Sequence, residues 1–323
     1  MIFGIVVLHV PLYVAMKDTG PGVFDLIKAF FQSAVFRCSV AMLTCISGYL
    51  LFNDRQLPYH TLVVKKIRTL VIPFLAFNLP IVLLMLMSYY GVIGSLGINV
   101  PDLGRPMNVL NAAFGLTQMP VNYPLGFLRD LMVLMLLSPG FRWMITTLPQ
   151  WAGVAIVGVF FFGLNLDGPL VLRNEMPVLF YVGALAACKR WNVIRLDAYA
   201  WPCLVLFLGI CAIYVHLRIG NTNLLRFVAP VLIWPAASLL LNTTFGDHMA
   251  KLSKYSFFIF LSHAMVLPVT YLVYKKLAAA AGVPYWAYWI TTPILVCALL
   301  ILIYRVAKGG IPSFFNIMTG ARA

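Results

Sequence analysis

Runs of apolar residues recur along the whole chain, each close to the length that crosses a lipid bilayer. A hydrocarbon core of ~30 Å is spanned by about 20 helical residues. The ten runs that we mark between polar or Pro/Gly-rich breaks cover 1–16, 30–52, 69–91, 126–147, 151–166, 171–188, 200–216, 224–242, 255–274 and 285–304. They predict an all-α polytopic membrane bundle with about ten transmembrane helices.

The composition excludes a water-soluble protein. Hydrophobic residues make up 62% of the chain and charged residues 10%, against roughly 45–50% and about 25% in soluble domains. The formal net charge of +14 comes from 23 Lys and Arg against 9 Asp and Glu. In a soluble protein this excess would suggest a nucleic-acid partner, but in so apolar a chain it is first a topology signal.

The basic residues indicate the orientation. Their larger share falls on one side of the bundle if both termini are cytoplasmic, so we predict that topology. No linker divides the chain, which predicts a single integral membrane domain over residues 1–323. The first run is short for a crossing and begins at Met1, so part of the first helix is expected upstream. A signal peptide is disfavoured because no basic leader and no small-residue cleavage site are present.

Six cysteines are present, all in or beside apolar runs and without a C-x-x-C pair. Such cysteines are typical of packing residues. We expect neither a disulfide framework nor a bound metal.

Ionisable residues inside apolar spans are costly and mark a candidate site. The set is His9, Arg37, Arg129, Asp130 and His263. The two histidines are predicted near mid-membrane and the two arginines one or two turns below the outer surface, so all could share an outward-opening pocket. The structural alternatives are packing histidines, an inter-helix ion pair of Arg129 or Asp130, and an Arg37 that snorkels to the headgroups.

A second basic cluster, Lys65, Lys66 and Arg68, precedes the third span on the predicted cytoplasmic side. It fits ordinary positive-inside anchoring, or a site for the phosphates of a cytosolic cofactor. The longest break, 92–125, is predicted to be a functional outer loop, since loops of that length in compact bundles are often functional.

Several segments together carry a family resemblance. They are IVVLHV with His9, CISGYLLF with Tyr49, KKIRTLVIPF with Lys65 and Arg68, NYPLGFLRDLMVL with Arg129 and Asp130, and SKYSFFIFLSH with Ser256 and His263. In this order and spacing they resemble the integral membrane acyltransferase 3 family, over essentially the whole chain. Two departures are clear: the family's basic residue upstream of the first-helix His would precede Met1, and Lys65 replaces the first Arg of an Arg-x-x-Arg pair.

The resemblance implies an O-acyltransferase of the bacterial inner membrane. Its donor would be a cytoplasmic acyl-CoA, succinyl-CoA or acetyl-CoA, and its acceptor a hydroxyl of an exopolysaccharide or lipid-linked sugar on the outer side. The segments FDLIKAFFQ and AVFRCSVAMLTCISGYLLF are most similar to exopolysaccharide-modifying members, including the succinoglycan succinyltransferases.

Acyl transfer needs a base for the hydroxyl proton and a cation for the developing oxyanion. We predict His9 as the base, with Arg37 and Arg129 as the catalytic cations. Lys65 and Arg68 would hold the CoA phosphates, while Asp130, Tyr49, Ser256 and His263 would contact or support the substrate. If the acyl group is succinyl, its carboxylate needs a cation, and the fork of an arginine such as Arg129 suits it.

The alternative is a carrier or flippase for sugars or lipid-linked glycans. A proton-coupled carrier is expected to bury several carboxylates along a path and to show an inverted repeat. Only Asp130 fits the first expectation, and no repeat is visible.

Overall fold

The computed structural model describes residues 1–53, 58–92 and 102–320, and all regular structure in these ranges is helical. In chain order the helical segments are α1 (Ile2–Leu8), α2 (Val23–Asn53), α3 (Tyr59–Tyr89), α4 (Pro106–Phe114), α5 (Tyr123–Leu136), α6 (Ser138–Thr147), α7 (Gln150–Gly163), α8 (Glu175–Cys188), α9 (Val193–His216), α10 (Asn223–Leu240), α11 (Thr244–Ala278), α12 (Tyr285–Gly310) and α13 (Pro312–Met318).

Six of the described helices, α2, α3, α9, α10, α11 and α12, are long and apolar enough to cross a membrane. The pair α5 and α6 would add a seventh span, bent by 53°, and Pro139 in the first turn of α6 accounts for the bend. The prediction of a multi-pass helical protein is therefore confirmed. The number ten is not, because α7 and α8 are shorter apolar helices and α1 has 7 residues. The cytoplasmic placement of both termini stays a prediction.

The first apolar run differs most from its prediction. Its helix ends at Leu8, His9 is the C-cap, and the chain then runs without regular structure to a short 3₁₀ turn at Met16–Asp18. Pro11 contributes to this end because it lacks a backbone N–H and disfavours a helical conformation at the residue before it. His9 therefore lies at the junction of a helix and an irregular segment, not in the middle of a spanning helix.

The chain forms two compact units. The first, residues 1–55 and 178–304, contains α1, α2, α9, α10, α11 and most of α8 and α12. Within it α9 pairs with α10, both pack on α2, and α1 packs on α2 and α11. Helices α2 and α8 approach closely at Gly48, where a Cβ atom would lie 2.9 Å from the carbonyl carbon of Phe180. A glycine is required there because its missing side chain lets the two backbones meet.

The second unit, residues 56–177 and 305–323, contains α3 to α7 and the C-terminal α13. The predicted outer loop 92–125 is partly helical, since α4 lies within it, and its residues 93–101 fall outside the described ranges. The side chain of Asn78 on α3 is fully buried and donates to the carbonyls of Ala112 and Ala113 at the end of α4. These bonds satisfy carbonyls that a helix end leaves open.

Two spanning helices contain π-helical segments next to candidate residues. One covers Ala29–Val35 in α2, just before Arg37, and the other Ile67–Val71 in α3, which includes Arg68. Such insertions re-aim side chains and are frequent at functional sites.

Candidate active site

The two span histidines, 254 positions apart in sequence, meet in the first unit. Nδ1 of His9 lies 2.9 Å from Nε2 of His263, and the two rings are 19° from parallel. His263, on α11, is fully buried, whereas His9 is half-buried at the end of α1. The buried imidazole of His263 is therefore hydrogen-bonded to the partly exposed imidazole of His9, which a substrate can approach.

Hydrogen bonds to carbonyls assign the protons of this pair. Nδ1 of His263 lies 2.9 Å from the carbonyl of Ile259 and 3.0 Å from that of Phe260. A carbonyl only accepts, so Nδ1 of His263 carries the hydrogen and, in the neutral ring, Nε2 is an acceptor. Nδ1 of His9 must then be the donor between the rings. Consequently, Nε2 of a neutral His9 is its basic nitrogen.

Side chains on α2 hold the irregular segment that follows His9. Nε2 of Gln32, which is 1% exposed, lies 3.3, 3.0 and 3.1 Å from the carbonyls of Val7, Leu8 and Val10. In an apolar environment such carbonyls must find donors within the protein. Gln32 thus fixes the backbone on both sides of His9.

Three further side chains donate hydrogen bonds to carbonyls of the same irregular segment. The ammonium of Lys28 donates to the carbonyl of Leu12, the hydroxyl of Tyr285 donates to that of Pro11, and Ser33 Oγ donates to that of Val14 at 3.4 Å. Carbonyls along the segment are thereby satisfied without a helix. The catalytic candidate is held by tertiary contacts, not by local helical geometry.

Arg37 lies beside the same segment. Its guanidinium carbon is 5.8 Å from the ring centroid of Tyr13, four residues after His9, and α1 packs against this part of α2. The side chain is half-buried, and within residues 1–53, 58–92 and 102–320 it makes no hydrogen bond or ion pair. Its donors are therefore available to an anion in a way that a saturated guanidinium is not.

The other two support candidates of the first unit lie on α2 and α11. The Tyr49 ring packs against Trp234 at 5.9 Å between centroids, and Ser256 is half-buried where α11 passes from a 3₁₀ to an α-helical turn. Their proposed contacts with substrate stay predictions.

Arg129, in the second unit, uses all of its donors on the protein itself. Nε donates to the carbonyl of Gly115 at 2.9 Å, and Nη2 donates to those of Leu116 and Pro169 at 2.9 and 3.0 Å. Nη1 donates to the carbonyl of Leu170 and to Asp130 Oδ1 at 2.9 Å. A guanidinium has five N–H groups, so an oxyanion could bind only by displacing one of these partners.

Asp130 completes this arrangement. It is fully buried, and its carboxylate accepts from the backbone N–H of Leu172 at 3.0 Å and of Arg173 at 3.2 Å. The Arg173 guanidinium lies 3.7 Å away. The pair Arg129 and Asp130 therefore ties the turn after α4 to the segment before α8. The catalytic role that the sequence suggests for Arg129 stays a prediction, while this geometry favours a structural clamp.

The basic pair proposed for CoA is accessible. Lys65 and Arg68 are both exposed, one helical turn apart on α3, and α13 packs against the same helix. The turn at Gly320 lies against Thr69, next to Arg68. Exposed Lys and Arg side chains at this spacing can bind phosphates.

Gln32 and Lys28 are not among the site residues predicted from the sequence, because Gln32 is not ionisable and Lys28 lies outside the predicted spans. A sequence signal is present, because Lys28 and Gln32 are polar and one turn apart beside an apolar run, and Ser33 directly follows Gln32. Their common task, which is to donate to carbonyls of a neighbouring segment, becomes visible only in three dimensions.

Comparisons with known proteins identify the family. The model of the acyltransferase 3 family, described as an acyltransferase domain, matches residues 1–307. The succinoglycan biosynthesis protein ExoH of Rhizobium meliloti (strain 1021) is 27% identical over 349 aligned positions, which cover all of this chain and 90% of the relative. No solved structure matches the chain.

Proposed function

The chain belongs to the acyltransferase 3 family and is a multi-pass membrane O-acyltransferase, and we propose that it moves a succinyl or acetyl group from acyl-CoA to a hydroxyl of an exopolysaccharide or its lipid-linked precursor. The relative named for succinoglycan biosynthesis supports a glycan acceptor. We place the reaction in the bacterial inner membrane, where a cytosolic thioester and an exported glycan can both be reached.

The hydrogen bond between His9 and His263 is the observation on which the proposed mechanism rests. In this mechanism, the acceptor hydroxyl gives its proton to Nε2 of His9 while its oxygen attacks the thioester carbonyl carbon. His263 accepts from Nδ1 of His9 at 2.9 Å, which orients the ring and stabilises the imidazolium that forms. The arrangement serves the same purpose as the carboxylate of a catalytic triad, with a neutral imidazole as acceptor.

Arg37 is the proposed partner of the oxyanion. As the hydroxyl oxygen bonds to the carbonyl carbon, negative charge collects on the carbonyl oxygen, and a cation beside His9 stabilises that state. The tetrahedral intermediate then collapses, the carbon–sulfur bond breaks, and the CoA thiolate takes the proton from His9. Ester and free CoA leave, and His9 is neutral again.

Lys65 and Arg68 are the proposed contacts of the CoA phosphates. Replacing both with Met should raise KM for acyl-CoA and leave KM for the acceptor nearly unchanged, because phosphate contacts bind ground state and transition state alike. Equal KM values for acyl-CoA in the variant and the parent would contradict this assignment.

The function is tested with membranes that contain the full-length protein. They are incubated with labelled acyl-CoA and an unmodified glycan, and mass spectrometry identifies any ester. We expect ester formation with the parent protein and at least about 100-fold slower ester formation with His9→Ala at the same abundance. A glycan that crosses the membrane without acquiring an ester would instead support a carrier.

A further inference from the structure

Lys28 is a buried cation whose hydrogen bond and ring contact are both with neutral groups. Its side chain, on α2, is 7% exposed, its ammonium donates to the carbonyl of Leu12, and it lies 5.1 Å from the ring centroid of Tyr285. An ammonium has three donors. The Leu12 carbonyl takes one and leaves capacity for a further partner.

Within the described residues no carboxylate lies within 4.0 Å of this ammonium. The ion pairs at that distance join Asp130 to Arg129 and to Arg173. Asp25, one turn before Lys28 on the same helix, is exposed to solvent and interacts with Lys28 only at longer range. A buried charge in apolar surroundings is costly unless it is paired, and such residues usually serve function. An anionic group that arrives with the substrate would compensate Lys28.

An anion bound to Lys28 would lie close to His9, the proposed base. Leu12, whose carbonyl it binds, follows His9 by three residues, which is at most about 10 Å of chain. Gln32, one turn further along α2, contacts the carbonyls of Leu8 and Val10 on either side of His9. A succinyl group carries its carboxylate two methylene groups away from the reacting carbonyl, which fits a cation that is near the base without contacting it.

We propose that Lys28 binds the carboxylate at the far end of the acyl group, which makes the enzyme selective for dicarboxylic acyl donors. The inference rests on the proposed acyl transfer at His9 and specifies its donor. Arg129, the residue that the sequence favoured for this task, already donates all five N–H groups within the protein. Arg37 is assigned to the thioester carbonyl and serves as the comparison.

The test measures selectivity rather than activity alone. Succinyl-CoA and butyryl-CoA differ in whether the acyl chain ends in a carboxylate or a methyl group, and kcat/KM is measured for both with a neutral acceptor. Lys28→Gln retains a donor for the Leu12 carbonyl but removes the charge. We expect the succinyl-to-butyryl ratio to fall by about 10- to 100-fold, the size of one hydrogen bond to a charged group. Lys28→Arg should preserve most of the preference.

Three matched variants separate charge from structure. Tyr285→Phe removes the adjacent hydrogen bond to the Pro11 carbonyl without a change of charge, so both donors should be affected equally. Lys276→Met removes an exposed lysine of the same unit and should affect neither donor. Arg37→Met should lower both rates together, because the carbonyl it is proposed to contact is common to both donors.

The outcomes are distinct. An unchanged ratio in Lys28→Gln, or an equal loss with both donors, overturns the proposal. A loss that appears only with an acceptor sugar that itself bears a carboxylate overturns it as well and assigns Lys28 to the acceptor. If the parent protein transfers neither acyl group to any glycan, the proposed function fails first.

Discussion

Nδ1 of His9 lies 2.9 Å from Nε2 of His263, and the other ring nitrogen of His263 is bound to the carbonyls one turn before it on α11. These bonds define one direction for the hydrogen bond between the rings and make Nε2 of His9 the basic atom. In this account His263 is a positioning residue that acts only through His9.

Replacing His263 with Ala should lower kcat by about 100- to 10,000-fold, the usual contribution of an oriented general base. KM for both substrates should change little, since His263 is buried behind His9. Steady-state kinetics test this. An unchanged kcat with a raised KM would assign His263 to substrate binding.

Replacing Gln32 with Leu should destabilise the segment around His9. The carbonyls of Leu8 and Val10 lose this donor in an apolar site, whereas that of Val7 keeps the backbone N–H of Val10. An unsatisfied buried group costs about 1–3 kcal/mol. Thermal unfolding in detergent should show a lower Tm, and kcat should fall with it. Gln150→Leu, at an exposed position, is the matched control and should leave both quantities unchanged.

Replacing Arg129 with Lys should lower stability and should not alter donor selectivity. An ammonium has three donors for the five acceptors that the guanidinium reaches, and weakening a buried ion pair costs up to about 3–5 kcal/mol. The abundance of the protein in membranes, its Tm and its succinyl-to-butyryl ratio test this, with exposed Arg105→Lys as control. A selective loss of succinyl transfer at normal stability would restore the catalytic role that the sequence suggested.

Replacing Gly48 with Ala should separate α2 from α8. The added methyl group would lie 2.9 Å from the Phe180 carbonyl carbon and 3.1 Å from its Cα, so backbone must move, and overpacking costs about 1–3 kcal/mol or more. At Gly209 on α9 nothing lies within 4 Å of an added Cβ, so Gly209→Ala is the control. Equal Tm values for the two variants would show that the close crossing is unimportant.

Much of the fold could be predicted from apolar length alone. The runs at 69–91, 200–216 and 285–304 correspond to α3, α9 and α12, because about 20 apolar residues without charges have few stable structures other than a spanning helix. The run 1–16 shows the limit of this argument. Its residues are as apolar as the others, but donors from distant parts of the chain satisfy its carbonyls and permit an irregular path.

The candidate site could be predicted only in part, for a related reason. His9 and His263 stand out because ionisable groups are rare in apolar runs, but their mutual contact depends on the packing of α1 against α11. The guanidinium of Arg129 has no free N–H group because four carbonyls from two separate loops accept from it, in addition to Asp130. The sequence shows that a cation is present in a predicted span. Whether its hydrogen-bond donors remain available to a substrate depends on the tertiary structure.

The role of His9 as the general base is tested most directly by the turnover of His9→Ala with an acyl-CoA and a glycan acceptor, measured on purified protein at matched concentration and compared with the parent. We expect a loss of at least about 100-fold in kcat, with partial recovery when free imidazole is added as a substitute base. Turnover equal to that of the parent protein would rule out this role for His9.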